Sequence, residues 1–299
     1  MIGGGLKEKK IDERDYKLGA MWDLPRLEDL PREFIVGLPP VLDQGSGTDL
    51  CAAAAAHSAA FLHEKTPMAW KWLFAVGKWK EGDVDSFGLE LRTAAKVLCK
   101  YGIPNESDIP EDFKDKSPEF LRRIENWPEE LFDKAIKNRQ GSFFDVTGPY
   151  DAYDNLKATI FKFASEENAV IFGVKWGWSI DQLIMDSVPE YGSGHALTHI
   201  GWREKDGIEY LYIQNSYGED AGENGRHYFS REVINANIAK YGAIMFHDMT
   251  AEDAEYYLQN GIKYNDNWVV AFIKTFVNFF NVKKIRRVSG ISFFGKRSS

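Results

Sequence analysis

The stretch Pro39-Pro40-Val41-Leu42-Asp43-Gln44-Gly45-Ser46-Gly47-Thr48-Asp49-Leu50-Cys51, running into Ala52-Ala53-Ala54-Ala55-Ala56-His57-Ser58-Ala59-Ala60-Phe61, decides how this chain is read. A polar loop broken by glycines leads into a run of alanine, the residue with the best helix propensity, so a helix is predicted from Cys51 to Phe61. Thr48 or Asp49 supplies an N-cap side chain. Cys51 then stands on the first helical turn. The partial positive charge there favours thiolate over thiol. A thiolate is the nucleophile that a covalent mechanism needs, and free backbone N–H groups at a helix start can hold a developing oxyanion.

Working outward, two more stretches carry chemistry. In Gly192-Ser193-Gly194-His195-Ala196-Leu197-Thr198-His199-Ile200-Gly201-Trp202, glycines precede a histidine that opens an apolar strand, and small neighbours predict room for His195 at a cleft edge. In Tyr210-Leu211-Tyr212-Ile213-Gln214-Asn215-Ser216-Tyr217-Gly218, an apolar strand delivers Asn215 at its end, where its side chain can accept a hydrogen bond from an imidazole nitrogen.

The 299 residues allow one large domain or two modest ones. At 44% hydrophobic and 27% charged, the composition argues against wholesale disorder. Two cysteines, Cys51 and Cys99, exclude a disulfide framework and a four-cysteine zinc site. No metal or cofactor is expected, and His57, His63, His199 and His227 read as structural or exposed histidines. The first residues lack the apolar core of a secretory signal, and no apolar run approaches a membrane span of ~20 residues. The expectation is a soluble cytoplasmic protein.

Charge is segregated. The 37 basic residues, less the seven that lie in 268–299, leave 30 in residues 1–267 against all 45 acidic ones, a net of −15. Phosphate repels such a body, so nucleic acid is not an expected partner. The organisation predicted is an arm over 1–34 with Leu24, Leu27 and Leu30 as docking points, and a body over 35–250. The body is helical to about 140 and strand-rich from 141. A C-terminal extension follows over 251–299. Within the extension, Trp268, Phe272 and Phe276 recur at helical spacing ahead of basic residues 283–287. Such a tail packs on its own body, meets an anionic membrane surface or docks into an assembly. Helices first and strands second make an α+β protein with two lobes.

These motifs, in this order, resemble the papain-like cysteine peptidases. Pro40-Val41-Leu42-Asp43-Gln44-Gly45 is similar to the family's loop before the nucleophile, and Gly194-His195-Ala196 to its histidine motif. Asn215-Ser216-Tyr217-Gly218, with Gly222 and Gly225, is similar to its asparagine signature. Lys100-Tyr101-Gly102-Ile103 and the arm Asp12-Glu13-Arg14-Asp15-Tyr16 extend the likeness to roughly residues 12–250, the arm resembling the bacterial and phage-borne branch. The resemblance implies a two-lobe α+β fold, a helical lobe plus a β-rich, barrel-like lobe, with hydrolysis of protein or peptide substrates through a thioester. Cys51 would be the nucleophile, His195 its base, Asn215 the residue that orients His195, and Gln44 with the Cys51 N–H the oxyanion hole. Tyr217 would shield the Asn215–His195 bond. Phe87, Gly88 and Gly194 would line the substrate cleft. A phage-borne protein would travel with its particle.

The chain also departs from the family pattern. Cys51 stands seven positions after Gln44, one more than the pattern. Asp49-Leu50 replaces Gly-Ser, and a carboxylate so close to Cys51 disfavours the thiolate. Ala52 and Ala221 replace tryptophans. A second reading is therefore a catalytically silent papain-like protein that binds or anchors a partner. In that reading Cys51 is a small buried hydrophobe and His195 a satisfied strand histidine. A third reading, acyl transfer, uses the same Cys–His chemistry.

Overall fold

The computed structural model describes residues 4–259, apart from 14, 46–47, 114–115 and 250. The predicted tail helix therefore lies outside the described residues. The arm is not simply extended. It contains a one-turn helix α1 (Leu18–Met21), a 3₁₀ turn at Leu27–Asp29 and a short strand β1 (Phe34–Ile35). Leu24 and Leu30 pack against the core while Leu27 is exposed; the deep anchors are Leu6, Leu18, Met21 and Trp22.

The helical lobe follows: α2 (Cys51–Glu64), α3 (Trp70–Glu81), α4 (Leu91–Lys100), α5 (Pro118–Leu121) and α6 (Leu131–Ala135). Helix α2 is apolar around most of its circumference, the pattern of a helix buried within a core. Its alanines bring the helix axis close to the sheet, where the Thr198 hydroxyl donates to the Ala55 carbonyl at 3.2 Å.

The second lobe is β2 (Ser142–Asp145), α7 (Ala152–Lys162), β3 (Val170–Trp176), β4 (Ile184–Met185), β5 (Ser193–Lys205), β6 (Ile208–Gln214), β7 (Arg226–Phe229), α8 (Arg231–Tyr241) and β8 (Ala243–His247); α9 (Ala251–Gln259) comes last. The β-branched and aromatic runs Phe143 to Val146, Ala169 to Trp176, His195 to Trp202, Tyr210 to Gln214 and His227 to Ser230 predict β2, β3, β5, β6 and β7. Sequence patterning misses β1, β4, β8, α3, α7 and α8. The strands run in the order β2-β8-β3-β5-β6-β7-β4, with β1 joining β5 beyond a bulge at Ile200. All pairings are antiparallel except β4 with β7. Strand β5 is the hinge of the design. One of its faces packs under α2, and the other belongs to a core with Phe172, Trp202, Leu211 and the arm residue Trp22. The fold is α+β with two lobes, as expected, and β5 and α2 meet where the lobes meet. Among the described residues no helix is long and apolar enough to cross a membrane.

Candidate active site

Cys51 is the first residue of α2 and is completely buried. The capping expected of Thr48 or Asp49 is not there. Leu50 is the N-cap and makes no side-chain cap bond. The Asp49 carboxylate turns away to accept from the Gly88 N–H at 2.8 Å and from the Arg122 guanidinium at 3.1 and 3.2 Å. The Thr48 hydroxyl donates instead to the Gln44 carbonyl at 2.7 Å. Burial therefore overrides the helix terminus: the thiol is pushed up to about 12 by desolvation, with Asp49 adding to the rise against backbone hydrogen bonds from Ala196 and Ala52.

His195 sits on β5, also completely buried, rather than open at a cleft edge. A chain of hydrogen bonds fixes its tautomer. His227 Nδ1–H donates to the Gln182 carbonyl at 2.8 Å, which leaves His227 Nε2 to accept from Asn215 Nδ2 at 3.0 Å. Asn215 Oδ1 is then turned to accept from His195 Nε2–H at 2.8 Å and from the Ser216 N–H at 2.7 Å. His195 Nδ1 is left as an acceptor, and the Tyr217 hydroxyl stands 3.3 Å from it. The Tyr217 ring lies parallel to the imidazole at 4.7 Å, with the Trp176 ring edge-on at 5.0 Å. Desolvation lowers His195 to about 4 against the hydrogen bond to Asn215 that raises it. His227 is the member that sequence reading set aside. Its only signal is register: it lies opposite Ile213 on the neighbouring strand, two residues before Asn215.

Gln44 is buried beside this network. Its backbone N–H donates to the Ser216 carbonyl at 2.9 Å and its Oε1 accepts from the Ser216 hydroxyl at 2.6 Å. Its Nε2 is turned into its own loop, toward Thr48 Oγ1 at 3.2 Å. The lengthened loop gives the amide donor an internal partner.

What closes the site is the arm. From Gly4 to Lys9 the chain runs between the lobes. Leu89 N–H donates to the Gly5 carbonyl at 2.9 Å and Lys7 N–H to the Leu89 carbonyl at 3.2 Å, a parallel bridge on the helical side. On the sheet side Leu6 N–H donates to the Gly194 carbonyl at 2.9 Å, and Gly4 N–H to Ser193 Oγ at 3.2 Å. The approach is so close that a Cβ on Gly88 would lie 2.2 Å from the Gly5 carbonyl oxygen, and one on Gly194 would lie 2.2 Å from the Leu6 oxygen. Gly5 itself has φ +72° with its Cα against Asp49. Leu6 is buried, its side chain against Gly173 beside Tyr241. Thus Gly88 and Gly194 line the groove but touch the arm, while the Phe87 side chain is 54% exposed. Ion pairs pin the strap on both flanks: Lys7 with Glu81, Lys9 with Asp145, and Glu8 with Lys240. Among the described residues no cluster of three or more His, Cys, Asp or Glu could hold a metal ion.

The comparisons bear on the fold. Residues 168–246, which include His195 and Asn215, match the family model "Papain family cysteine protease". No curated protein matches the chain. Among solved structures, Xylellain, a cysteine protease from Xylella fastidiosa, is similar at TM-score 0.63 and 21% identity, covering 82% of this chain and 96% of that one. The digestive procathepsin L 3 of Tenebrio molitor larval midgut is similar at TM-score 0.57 and 16% identity, over 78% and 76% of the two chains. The bromelain protease from Ananas comosus is similar at TM-score 0.51 and 14% identity, over 73% and 99%. The two-lobe fold is thus that of the papain-like cysteine proteases, and the stretch 168–246 within it matches the model of that family.

Proposed function

We propose that this protein hydrolyses peptide bonds through Cys51 and His195, and that its own N-terminal arm holds it latent. The observation that carries the reading is the fixed chain Gln182–His227–Asn215–His195 on one lobe, facing across β5 the helix that begins with Cys51 on the other. The chain leaves His195 Nδ1 as an acceptor, which is the state a general base needs. Once the arm has left, the Tyr217 hydroxyl yields Nδ1 to the thiol proton. Cys51 attacks the substrate carbonyl; the Cys51 N–H and the Gln44 amide, freed from Thr48, hold the oxyanion. His195 passes its proton to the leaving amine, and water hydrolyses the thioester. The peptide substrate takes the edges that grip the arm: the Leu89 backbone beside Gly88, and the Gly194 carbonyl.

A second reading, a catalytically silent binding protein, is favoured by one observation: both reactive groups are wholly buried and held neutral. Labelling by an epoxide-type cysteine-peptidase inhibitor, read by intact mass, separates the two. The latent-peptidase reading expects slow labelling of the wild type and rapid labelling of Leu6→Asp. It expects no labelling of Leu6→Asp with Cys51→Ala, and much slower labelling of Leu6→Asp with His195→Ala. An arm-displaced, folded Leu6→Asp protein that still takes no inhibitor between pH 5 and 8 would leave the silent reading in place.

A further inference from the structure

Away from the candidate active site lies a cavity of about 800 Å³, between α4, the arm at Asp15 and Tyr16, and the approach to β2. Its volume falls within the roughly 300–1,000 Å³ typical of small-molecule sites. Its charge is the opposite of the chain's. Among the described residues, Lys80, Arg92, Lys96, Lys100 and Arg139 line it against one carboxylate, Asp15, in a protein with net charge −8.

Arg92, Lys96 and Lys100 follow each other at i, i+4 and i+8, so they form one stripe on α4, while Ala94, Ala95, Val97 and Leu98 bury the other face. Like charges at that spacing repel one another along the helix. Two of the cations lie over aromatic rings. Lys80 lies 3.9 Å over Trp79 and 4.9 Å from the Tyr101 centroid, and Lys100 lies 5.5 Å from the same tyrosine. An aromatic face attracts an ammonium but leaves its charge in place. Arg92 is paired with carboxylates of the arm. Its Nη2 meets Asp12 at 2.6 Å and its Nε meets both Asp15 oxygens at 2.6 and 2.7 Å. Asp12 and Asp15 belong to the arm, immediately after the segment that fills the groove.

We propose that this cavity binds a small multivalent phosphate, free or as an ester, and that its binding loosens the arm. A polyphosphate chain matches a cavity lined by several cations, and guanidinium and ammonium donors are the groups that recognise it. Seated against Arg92, the anion competes with Asp12 and Asp15 for the same guanidinium and repels both carboxylates. The cavity is then the effector site and Arg92 the shared contact. The consequence for activity rests on the latent-peptidase reading; the binding does not.

The test is calorimetric titration of the full chain with inorganic tripolyphosphate, beside adenosine triphosphate. The variants are Lys100→Ala and Arg139→Ala, both at exposed positions. Saturable binding is expected, weakened about tenfold or more in the double variant. Equal affinity for the two probes assigns recognition to the phosphate chain, and tighter binding of the nucleotide assigns it to the ester. Absence of saturable heat, or undiminished binding by a folded double variant, overturns the site. The second readout is the rate at which iodoacetamide alkylates Cys51. Alkylation needs an exposed thiol but no hydrolysis, so it tests arm release even if the protein cleaves nothing. Tripolyphosphate should accelerate alkylation of the wild type but not of the double variant; an unchanged or slower rate overturns the coupling to the arm.

Discussion

Latency turns on a few residues that touch. Among the described residues Leu6 is the large apolar side chain that the arm buries in the groove, and burying a leucine stabilises by about 1.5–3 kcal/mol. Leu6→Asp replaces that gain with the cost of an unpaired carboxylate, so the arm-free population should rise on the order of 10- to 100-fold or more. The check is iodoacetamide alkylation of Cys51 at neutral pH, which should accelerate by that factor; an unchanged rate would mean that the ion pairs at Lys7 and Lys9 suffice alone. Gly5→Val should act in the same direction for a different reason. Its φ of +72° excludes a β-branched residue, and its Cβ would lie 2.3 Å from the Asp49 Cα. His227 poses the opposite question, because it holds the network and not the strap. Removing its ring orphans the Asn215 amide hydrogen, a loss of about 1–3 kcal/mol for a buried donor. In the Leu6→Asp background, His227→Ala should slow epoxide labelling of Cys51 while the rate of simple alkylation stays the same. Only a group that steers His195 separates those two rates.

At the scale of elements, the central contact is α2 on β5. Alanine is required there by distance: Ala55 is buried, and its carbonyl accepts from Thr198 across the interface. Ala55→Leu forces the helix away or the side chain off its rotamer, at about 1–3 kcal/mol. Thermal unfolding should move down by roughly 2–4 °C per kcal/mol for a chain of this size. An unshifted melting temperature would show that the interface has slack. This element was legible in the sequence because propensity, burial and position agree in the alanine run. Strands β5 and β6 were legible for the same reason, from their β-branched and aromatic runs. Helices α7 and α8 were not, although each carries a local start signal. Asp151 accepts from the Asp154 N–H, and Ser230 accepts from the Val233 N–H directly after β7. Their interiors, with Tyr153, Ile160, Val233 and Ile234, are as compatible with strand as with helix, and the strands around them set the expectation. The site divides along the same line. Cys51, His195 and Asn215 announce themselves by motif. The Asp49 turn to Gly88, the Gln44 donor folded into its own loop and the Gly5–Gly88 contact are tertiary, and no local pattern encodes them. Gly4 and Gly5 belong to no motif, yet their neighbours leave no room for a Cβ at either.

Across the whole molecule, the buried histidines tie stability to pH. His57, His195 and His227 are lowered to about 4 and His199 to about 3, each chiefly by desolvation. Unfolded, each titrates near 6.5. Between those values the unfolded chain binds protons that the folded chain refuses. Stability is therefore complete above about pH 6.5 and is lost as pH falls toward 4. His63 works the other way. Its bond to Asp248 raises it to about 9 against desolvation, with Glu64 assisting, so its contribution is present below 6.5 and fades as pH rises through 9. Together they predict a melting temperature that is highest near neutrality and falls more steeply on the acid side, where four groups act against one. His195 differs from the other three because the arm helps to exclude its water: Gly4 lies against it. Departure of the arm returns its ring toward 6.5, so acid favours the arm-free form before it unfolds the protein. Thiol reaction with dipyridyl disulfide, a reagent that remains reactive in acid, should therefore accelerate from pH 7 to pH 5. That acceleration should occur at temperatures where circular dichroism still reports the native fold, and His195→Gln should flatten it. Acceleration that appears only together with loss of the dichroism signal would mean that the arm and the body unfold as one unit, and that acid does not act on the strap alone.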